Sequence, residues 1–385
     1  MTFPTISHLI ESIIGIYIPL PIQTFGFFIV LAFIIGHYYI NKEFKRMEKM
    51  NIFNPIKIES SKSKTTLIID YIFNGLMSFL FGYKITYIIA NYNSFSIEPQ
   101  KLILNSEGNL LLGFIFLTIS IIYINYTSKK SDFSTTKLIT PSSLSLNFIF
   151  VAAISGIIGA KLFSVLEDFN YFIQNPIQAL FSFSGLTFYG GLILGTICTI
   201  LYARKYNIPI SKLADVFAPS LILSYGIGRL GCHFSGDGDW GIVANFDNKP
   251  IFFPDWLWGY NFPRNVIETG IKINDCVGKY CYELPQAVHP TSLYEAIFGI
   301  CAFLLLWNIR KKIHTPGVLF SIYLIINGIE RFLIETIRIT DKYMFLNFNL
   351  TQAQIIGIGI VIIGLSSIIY LNRSKFLWIY LKNKA

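Results

Sequence analysis

The chain has 385 residues, of which 53% are hydrophobic and 14% are charged, and its formal net charge is +9 at pH 7. Soluble domains carry about a quarter of their residues as charged ones, and disordered chains combine low hydrophobicity with high net charge. This composition excludes both classes, and 5 cysteines are too few for a disulfide scaffold. The basic residues lie between long apolar runs, as in integral membrane proteins. We therefore predict an all-α, polytopic membrane protein, one membrane domain over 1–385, without a nucleic-acid partner.

Apolar runs long enough to cross a bilayer recur along the chain. A membrane-spanning helix needs about 20 predominantly apolar residues, and nine stretches approach this length. We predict spans at 22–40, 67–91, 109–126, 145–165, 186–203, 214–231, 293–309, 317–336 and 353–372.

The loops between these spans differ in positive charge. Alternate loops and the C-terminal tail hold twenty Lys and Arg residues, whereas the opposite side holds seven. Because positively charged loops stay in the cytoplasm, we predict an outer N-terminus and a cytoplasmic C-terminus. Residues 1–21 contain no Lys or Arg, so we read the first span as a retained helix and not as a cleavable signal peptide.

The segment 232–292 falls on the predicted outer side as an extended loop or small head region. It contains Cys276 and Cys281, which an oxidising compartment would allow to pair; a disulfide and two free thiols both remain open. Cys198 and Cys301 lie inside spans, where we expect them to act as packing residues.

Ionisable side chains inside the spans indicate a site at one side of the membrane. A charge buried there costs several kcal/mol. Such a residue is therefore expected to have a partner of opposite charge or to serve a functional site. Snorkelling to the interface is the alternative, and we favour it for Lys84. The direction of each span places Tyr189, Tyr294 and the basic residues near the outer face, whereas a transporter would carry some polar groups at the midplane. The basic residues within spans are Lys84, Lys161, Arg229 and Arg331.

Two arginines flank a carboxylate near the end of the eighth span. Arg331, Glu335 and Arg338 are spaced to share one helix face. They form either a buried ion pair or a phosphate site, since a guanidinium group can hold two phosphate oxygens at once.

A glycine-rich run ends the sixth span. Gly226, Gly228 and Gly231 satisfy G-x-G-x-x-G, but a dinucleotide site needs a preceding strand, and an apolar helix precedes this run. We expect the glycines to let the backbone approach a ligand and to expose N–H groups to it.

The polar residues that follow the glycine-rich run raise the question of a metal site. His233, Asp237 and Asp239 lie close together in sequence, but three such residues in a loop are weak evidence for a metal ion. We expect neither a metal nor a cofactor.

Several ordered blocks resemble one family. The main blocks are 228–241, close to G-R-x-G-N-x-x-N-G-E-x-x-G; 289–295, close to H-P-S-Q-L-Y-E; 328–338, close to G-x-x-R-F-x-x-E-x-x-R; and 350–354, close to L-T-x-x-Q. Shorter likenesses lie at 159–162 and 188–192. Together they resemble the bacterial prolipoprotein diacylglyceryl transferases over about 145–372, plus the first span.

This resemblance implies an activity, a location and partners. The expected reaction moves the diacylglyceryl group of phosphatidylglycerol to the lipobox cysteine of a prolipoprotein signal peptide and releases glycerol phosphate. The site would face membrane lipid at the outer leaflet of the bacterial cytoplasmic membrane. Relative to the usual seven helices, 67–126 reads as a two-helix insertion.

The resemblance also implies roles for individual residues. The expected catalytic residues are Arg229, Arg331, Tyr189, Glu335 and His289, and the expected substrate-binding residues are Arg229, Asp237, Gly236, Lys161, Tyr294 and Arg338.

This chain departs from the family at positions that matter for chemistry. Tyr189 stands where the family has histidine, Cys232 replaces an asparagine, Asp237 a glutamate and Lys161 an arginine. The base that activates the thiol is therefore open among Tyr189, His289, Glu335 and Asp237. Two other functions also stay open, a non-catalytic phospholipid-binding paralogue and a related transferase with another acceptor.

Overall fold

The structure is predominantly helical, as the composition predicts. The computed structural model describes residues 2–60, 64–97, 99–130, 135–181, 187–276, 278–340, 342–345 and 348–382. Its helices are α1 Ile6–Ile14, α2 Thr24–Lys49, α3 Lys64–Ala90, α4 Tyr92–Ile97, α5 Pro99–Leu104, α6 Leu110–Lys130, α7 Ser145–Glu167, α8 Phe169–Gln174, α9 Pro176–Phe181, α10 Phe188–Lys205, α11 Ile210–Ser235, α12 Asp255–Trp258, α13 Thr291–Ile309, α14 Val318–Ile334 and α15 Gln352–Lys382.

A long helix lies at each of the nine predicted spans, although residue 186 of the fifth is outside the described residues. Six helical stretches in the described part are long and apolar enough to cross a membrane, and α6 is a shorter apolar helix. The helices α10 and α14 have 18 and 17 residues and are not among the six. The protein is an α-helical membrane protein, and the count of nine spans stays a prediction. The six stretches are Thr24–Lys49, Tyr71–Ala90, Pro141–Glu167, Ile210–Ser235, Thr291–Ile309 and Gln352–Arg373.

The first long helix extends beyond its predicted end. We predicted a span that ends with the apolar run near residue 40, but α2 continues to Lys49. Its last turns bury Glu43, Phe44 and Met47, so packing against the rest of the protein continues the helix past the apolar run.

Among the described residues, three antiparallel ribbons of two strands and two short 3-10 helices, Pro141–Leu144 and Phe246–Asn248, complete the secondary structure. The ribbons pair β1 Ile56–Ser60 with β2 Thr135–Ile139, β3 Ile271–Lys272 with β4 Tyr282–Glu283, and β5 Lys342–Phe345 with β6 Phe348–Thr351. In register, Ile56 lies opposite Ile139, Ile271 opposite Glu283 and Lys342 opposite Thr351. The first ribbon brackets α3 and α6, which pack against each other. The insertion predicted for 67–126 is thus a helical hairpin, although its status as an insertion stays a prediction.

Helix α11 forms the centre of the bundle and packs against α2, α13 and α14. The glycines of its C-terminal half lie within the helix, as the predicted sixth span requires, so our expectation that they expose N–H groups to a ligand was wrong. A Cβ atom at Gly226 would lie 3.1 Å from the carbonyl oxygen of Ala296, and one at Gly231 would lie 2.8 Å from Cβ of Phe28. Small residues let membrane helices approach closely, and here they bring α13 and α2 against α11.

Contacts between helix ends define two ends of the bundle. At one end, Gly317 N–H donates to Oδ2 of Asp215 at 2.6 Å, which joins the start of α14 to the first turns of α11. At the other, Thr291 Oγ1 donates to the carbonyl oxygen of Asp239 at 2.9 Å, which joins the start of α13 to the chain after α11. We call the second end the Arg229 end, because α11 carries Arg229 into it.

The segment predicted as an outer loop from residue 232 begins later, since α11 ends at Ser235 and Gly236 caps it with φ 63°. The segment has a small core of Phe262, Leu284 and Val288, and a disulfide joins Cys276 to Cys281, which selects the first of our two alternatives. Elsewhere, Cys301 is exposed on the surface of the chain and Cys198 is partly buried, so the packing role predicted for Cys301 was wrong.

Candidate active site

A buried glutamate at the Arg229 end gathers three arginines from different parts of the chain. Glu295, near the start of α13, is fully buried, and its Oε2 lies 3.2 Å from Nε of Arg229. Its Oε1 lies 3.4 Å from Nη1 of Arg331 and 3.6 Å from Nη1 of Arg338. Three positive charges therefore meet around one carboxylate at a helix-bundle end.

Two more carboxylates complete this group. Asp239 forms ion pairs with Arg229 and with Arg338, the latter at 2.5 Å between Oδ1 and Nη2. Arg331 Nη2 also lies 3.1 Å from Oε2 of Glu335. We call Arg229, Arg331, Arg338, Glu295, Glu335 and Asp239 the arginine cluster.

The electrostatics of Asp239 follow from this geometry. Burial opposes ionisation of Asp239, but Arg229 and Arg338 outweigh burial and hold the pKa of this carboxyl below its ordinary value. For Arg338, burial favours the neutral form, while Asp239 and Glu295 raise its pKa above the usual range. Both groups are charged at neutral pH.

Arg338 reaches the cluster by a route that we did not predict. We predicted that Arg338 shares one helix face with Arg331 and Glu335. This prediction was wrong for Arg338, because α14 ends at Ile334 with Glu335 as its C-cap. The chain instead turns and pairs with the segment after α11, where Ile242 N–H donates to the carbonyl oxygen of Ile337 at 2.9 Å and Gly241 forms an isolated bridge with Arg338. A Cβ at Gly241 would lie 2.6 Å from the Ile337 oxygen, so this close approach requires glycine.

His289 and Tyr294 form a second polar group beside the cluster. Nδ1 of His289 lies 3.4 Å from Oη of Tyr294, whose hydroxyl donates to the carbonyl oxygen of Leu257 at 2.6 Å. The carbonyl oxygen of His289 accepts from Gly241 N–H at 2.8 Å. Burial lowers the pKa of His289, so its ring is neutral at pH 7.

Asp237 and Gly236 lie at the end of α11. Oδ1 of Asp237 accepts from Asp239 N–H at 3.3 Å, and burial raises the pKa of Asp237. Ligand atoms of Cys232, Asp237 and Asp239 lie within 4.8 Å of one another, but both oxygens of Asp239 already pair with arginines. His233 packs instead against aromatic rings, so the trio considered for a metal in the sequence is not the one that the fold assembles.

The remaining predicted residues lie on helices other than those that carry the arginine cluster. Tyr189, at the start of α10, is 38% exposed and its ring contacts Phe188. Lys161 lies in α7, which packs mainly against α10. None of the described ion pairs or hydrogen bonds joins either residue to the cluster. Lys84 donates to the carbonyl oxygens of Leu102, Asn105 and Glu107, which is a structural role.

Sequence reasoning missed four functional candidates, namely Glu295, Asp239 as an arginine partner, Glu330 and Tyr225. Oη of Tyr225 donates to Oε1 of Glu295 at 2.9 Å and lies 3.3 Å from Oε1 of Glu330. A usable signal existed, because carboxylates inside predicted spans are as costly as arginines, yet Glu335 was the one carboxylate considered there.

Comparisons with known proteins point to one family. A family model described as prolipoprotein diacylglyceryl transferase matches residues 109–370. The phosphatidylglycerol–prolipoprotein diacylglyceryl transferase of Staphylococcus haemolyticus (strain JCSC1435) is 32% identical over 232 residues, which cover 60% of this chain and 74% of the relative. The proteins of the same name from Staphylococcus aureus strains MSSA476 and Newman are also 32% identical over 232 residues. In both cases the match covers 60% of this chain and 75% of the relative.

Proposed function

The chain belongs to the prolipoprotein diacylglyceryl transferase family, and we propose on this premise that it transfers the diacylglyceryl group of phosphatidylglycerol to the thiol of the lipobox cysteine of prolipoproteins. In this reaction the cysteine sulfur bonds to the glycerol carbon, the bond from that carbon to the phosphate oxygen breaks, and glycerol phosphate leaves. The protein is thus a membrane-embedded transferase of lipoprotein biosynthesis.

The convergence of three arginines at Glu295 carries the proposed mechanism. The leaving phosphate gains negative charge as its bond to carbon breaks, and guanidinium groups aimed at developing charge in a site shielded from water are effective catalysts. Arg229 and Arg331 are proposed to hold this phosphate with Arg338, and Glu335 to orient Arg331 through their 3.1 Å ion pair.

The thiol needs a proton acceptor, since a free cysteine has a pKa near 8.5. His289 is supported for this role by its neutral ring, whose pKa burial lowers, and by its backbone contact with Gly241 beside the cluster. Tyr294 would then orient His289, and Asp237 and Gly236 would contact the glycerol headgroup. Tyr189 and Lys161 stay proposals from the family resemblance, as catalytic and lipid-binding residues respectively.

The Arg229 end is proposed to face the outer leaflet. The asymmetry of Lys and Arg between loops supports this side, and a disulfide at Cys276–Cys281 fits an oxidising compartment. At the end of the bundle, phosphatidylglycerol and the signal peptide would both enter laterally from lipid.

The test uses purified protein in detergent with phosphatidylglycerol and a peptide bearing a lipobox cysteine. Mass spectrometry should detect the diacylglyceryl-modified peptide and released glycerol phosphate from the wild type. Arg229→Ala should reduce both products about 10²- to 10³-fold, whereas Arg204→Ala, which removes an exposed arginine at the end of α10, should retain them. Absence of both products from a wild type that still binds lipid would contradict the transferase and indicate a non-catalytic paralogue. Glycerol phosphate without a modified peptide would indicate another acceptor.

A further inference from the structure

One buried carboxylate at the Arg229 end lies outside the arginine cluster. Glu330, on α14, is 5% exposed, and it forms none of the ion pairs among the described residues. Its described hydrogen-bond partner is the hydroxyl of Tyr225, at 3.3 Å. Burying an ionised carboxylate without a cation is costly, and such a group neutralises by binding a proton.

The surroundings of Glu330 contain few other charges. The charged groups that act on it are Glu295 from α13, Arg331 of its own helix and Arg229 from α11. Helix α15, which packs along α14, has no acidic or basic side chain over 352–372.

Tyr225 connects Glu330 to the arginine cluster through a single hydroxyl. A hydroxyl has one proton to donate, and Oη of Tyr225 lies 2.9 Å from Oε1 of Glu295 and 3.3 Å from Oε1 of Glu330. If Tyr225 donates to Glu295, then Glu330 completes the chain by donating its own proton to the tyrosine oxygen. All three groups are then hydrogen-bonded, as buried polar groups require.

The charge balance of the cluster gives this proton a function. Arg229, Arg331 and Arg338 face the carboxylates of Asp239, Glu295 and Glu335, so three positive charges meet three negative ones. A cluster that is already neutral has no spare charge for a phosphate. Removing the charge of Glu295 would leave one net positive charge at the point where all three guanidinium groups meet.

We propose that Glu330, Tyr225 and Glu295 share one proton, and that its transfer from Glu330 through Tyr225 to Glu295 frees the arginine cluster to bind the phosphate of the donor lipid. The proton on Glu330 passes to Oη of Tyr225 as the tyrosine proton passes to Oε1 of Glu295, so no proton is gained or lost and the negative charge moves from Glu295 to Glu330. Glu330 lies outside the arginine cluster, and Arg331 and Arg229 still act on its charge. A phosphodiester carries one negative charge, which matches the single charge that is freed. Glu330 and Tyr225 are positioning residues in this scheme, which rests on the proposed function.

The first test measures binding of glycerophosphoglycerol, the deacylated and water-soluble form of the donor's phosphodiester, to the full-length protein in detergent by titration calorimetry at pH 7. Glu330→Gln keeps the size and the hydrogen bond to Tyr225 but supplies no proton, so Glu295 stays charged. We expect affinity to fall about 10- to 100-fold, the value of a hydrogen bond to a charged group. Tyr225→Phe should have the same effect, because it interrupts the path.

The second test restores binding by removing the charge that the relay would have neutralised. In the double variant Glu330→Gln with Glu295→Gln, the cluster has its free positive charge permanently, so phosphate affinity should return to within about threefold of wild type. A merely structural role for Glu330 does not produce this rescue. Glu268→Gln, which removes an exposed carboxylate from the segment after α11, is the matched control and should bind phosphate like the wild type.

Kinetics with phosphatidylglycerol separate this proposal from the proposed function. Glu330→Gln should raise KM more than it lowers kcat, because the shared proton acts on binding. Wild-type-like phosphate affinity in Glu330→Gln, or no rescue in a folded double variant, would overturn the proton relay while leaving the transferase intact. Lack of peptide modification by the wild type would instead overturn the transferase, and the binding measurements would still decide the relay.

Discussion

Two groups of arginine and glutamate lie at opposite ends of the same bundle and differ in how completely they are paired. At the end away from Arg229, Nε of Arg310 donates to Oε2 of Glu43 at 2.9 Å, and Nε of Arg46 donates to both oxygens of Glu43 at 3.0 Å. The Arg310 guanidinium also lies 3.3 Å from the centre of the Trp307 ring. We call Glu43, Arg46 and Arg310 the Glu43 cluster.

The arginine cluster is more open than the Glu43 cluster. Side chains of Glu43 and Arg310 are 1% and 7% exposed, whereas those of Arg331 and Asp239 are 28% and 31% exposed. Among the described residues, buried atoms of Glu295, Glu335 and Arg338 also lack hydrogen bonds, although they lie near opposite charges. A closed ion pair joins helices, while an open one leaves guanidinium groups that an anion can reach when a carboxylate loses its charge.

The comparison predicts that substitutions in the Glu43 cluster reduce the free energy of unfolding more than substitutions in the arginine cluster. Arg310→Ala leaves Glu43 buried beside a single remaining arginine, and removing one partner of a buried pair costs about 3–5 kcal/mol. Thermal unfolding in detergent should show this loss, with activity per folded molecule retained. Lys311→Ala, an exposed neighbour, is the control. An unchanged melting temperature would remove the structural role assigned to the Glu43 cluster.

Arg229→Ala should have the opposite profile, with a large effect on catalysis and a smaller one on stability. Removing one donor to developing negative charge costs about 10²–10³ in kcat, while Glu295 keeps Arg331 and Arg338 as partners. Single-turnover formation of the lipid-modified peptide measures this loss. A folded variant with more than a tenth of wild-type activity would contradict the role of Arg229 at the phosphate.

Asp239 provides a pH test of the open cluster. Arg229 and Arg338 lower its pKa against the effect of burial, so its stabilising contribution is complete above the unfolded-state value, about 3.9. The contribution is lost as pH falls through the lower folded-state pKa. Asp239→Asn should therefore have a lower free energy of unfolding than the wild type at pH 6. This difference between the two proteins should disappear as the pH is lowered. A difference between the two proteins that stayed constant down to pH 3 would show that the Asp239 charge is not responsible.

The smallest effect is expected at Tyr189, which lies outside both clusters. Its hydroxyl forms no hydrogen bond within the described part of the chain, so Tyr189→Phe should reduce the transfer rate by about tenfold at most, the value of one neutral hydrogen bond. Steady-state kinetics of the purified variant test this. A reduction above about a hundredfold would show that Tyr189 approaches the reacting groups when substrate is bound.

Helix positions were largely predictable, whereas the polar partners were not. Apolar runs identify membrane helices locally, and Arg229 and Arg331 were found because isolated charges in such runs are unusual. The extension of α2 to Lys49 and the position of Arg338 beyond the end of α14 were missed, because contacts distant in sequence determine both.

The sequence by itself determined the class of protein, the approximate spans, the family and the arginines, since hydrophobicity, charge and motif spacing are all local properties of the chain. Only the tertiary structure decided that Glu295 lies among three arginines and that Tyr225 connects it to Glu330. Those contacts depend on how α11, α13 and α14 rotate and approach one another, and close approach at glycines such as Gly226 sets that packing.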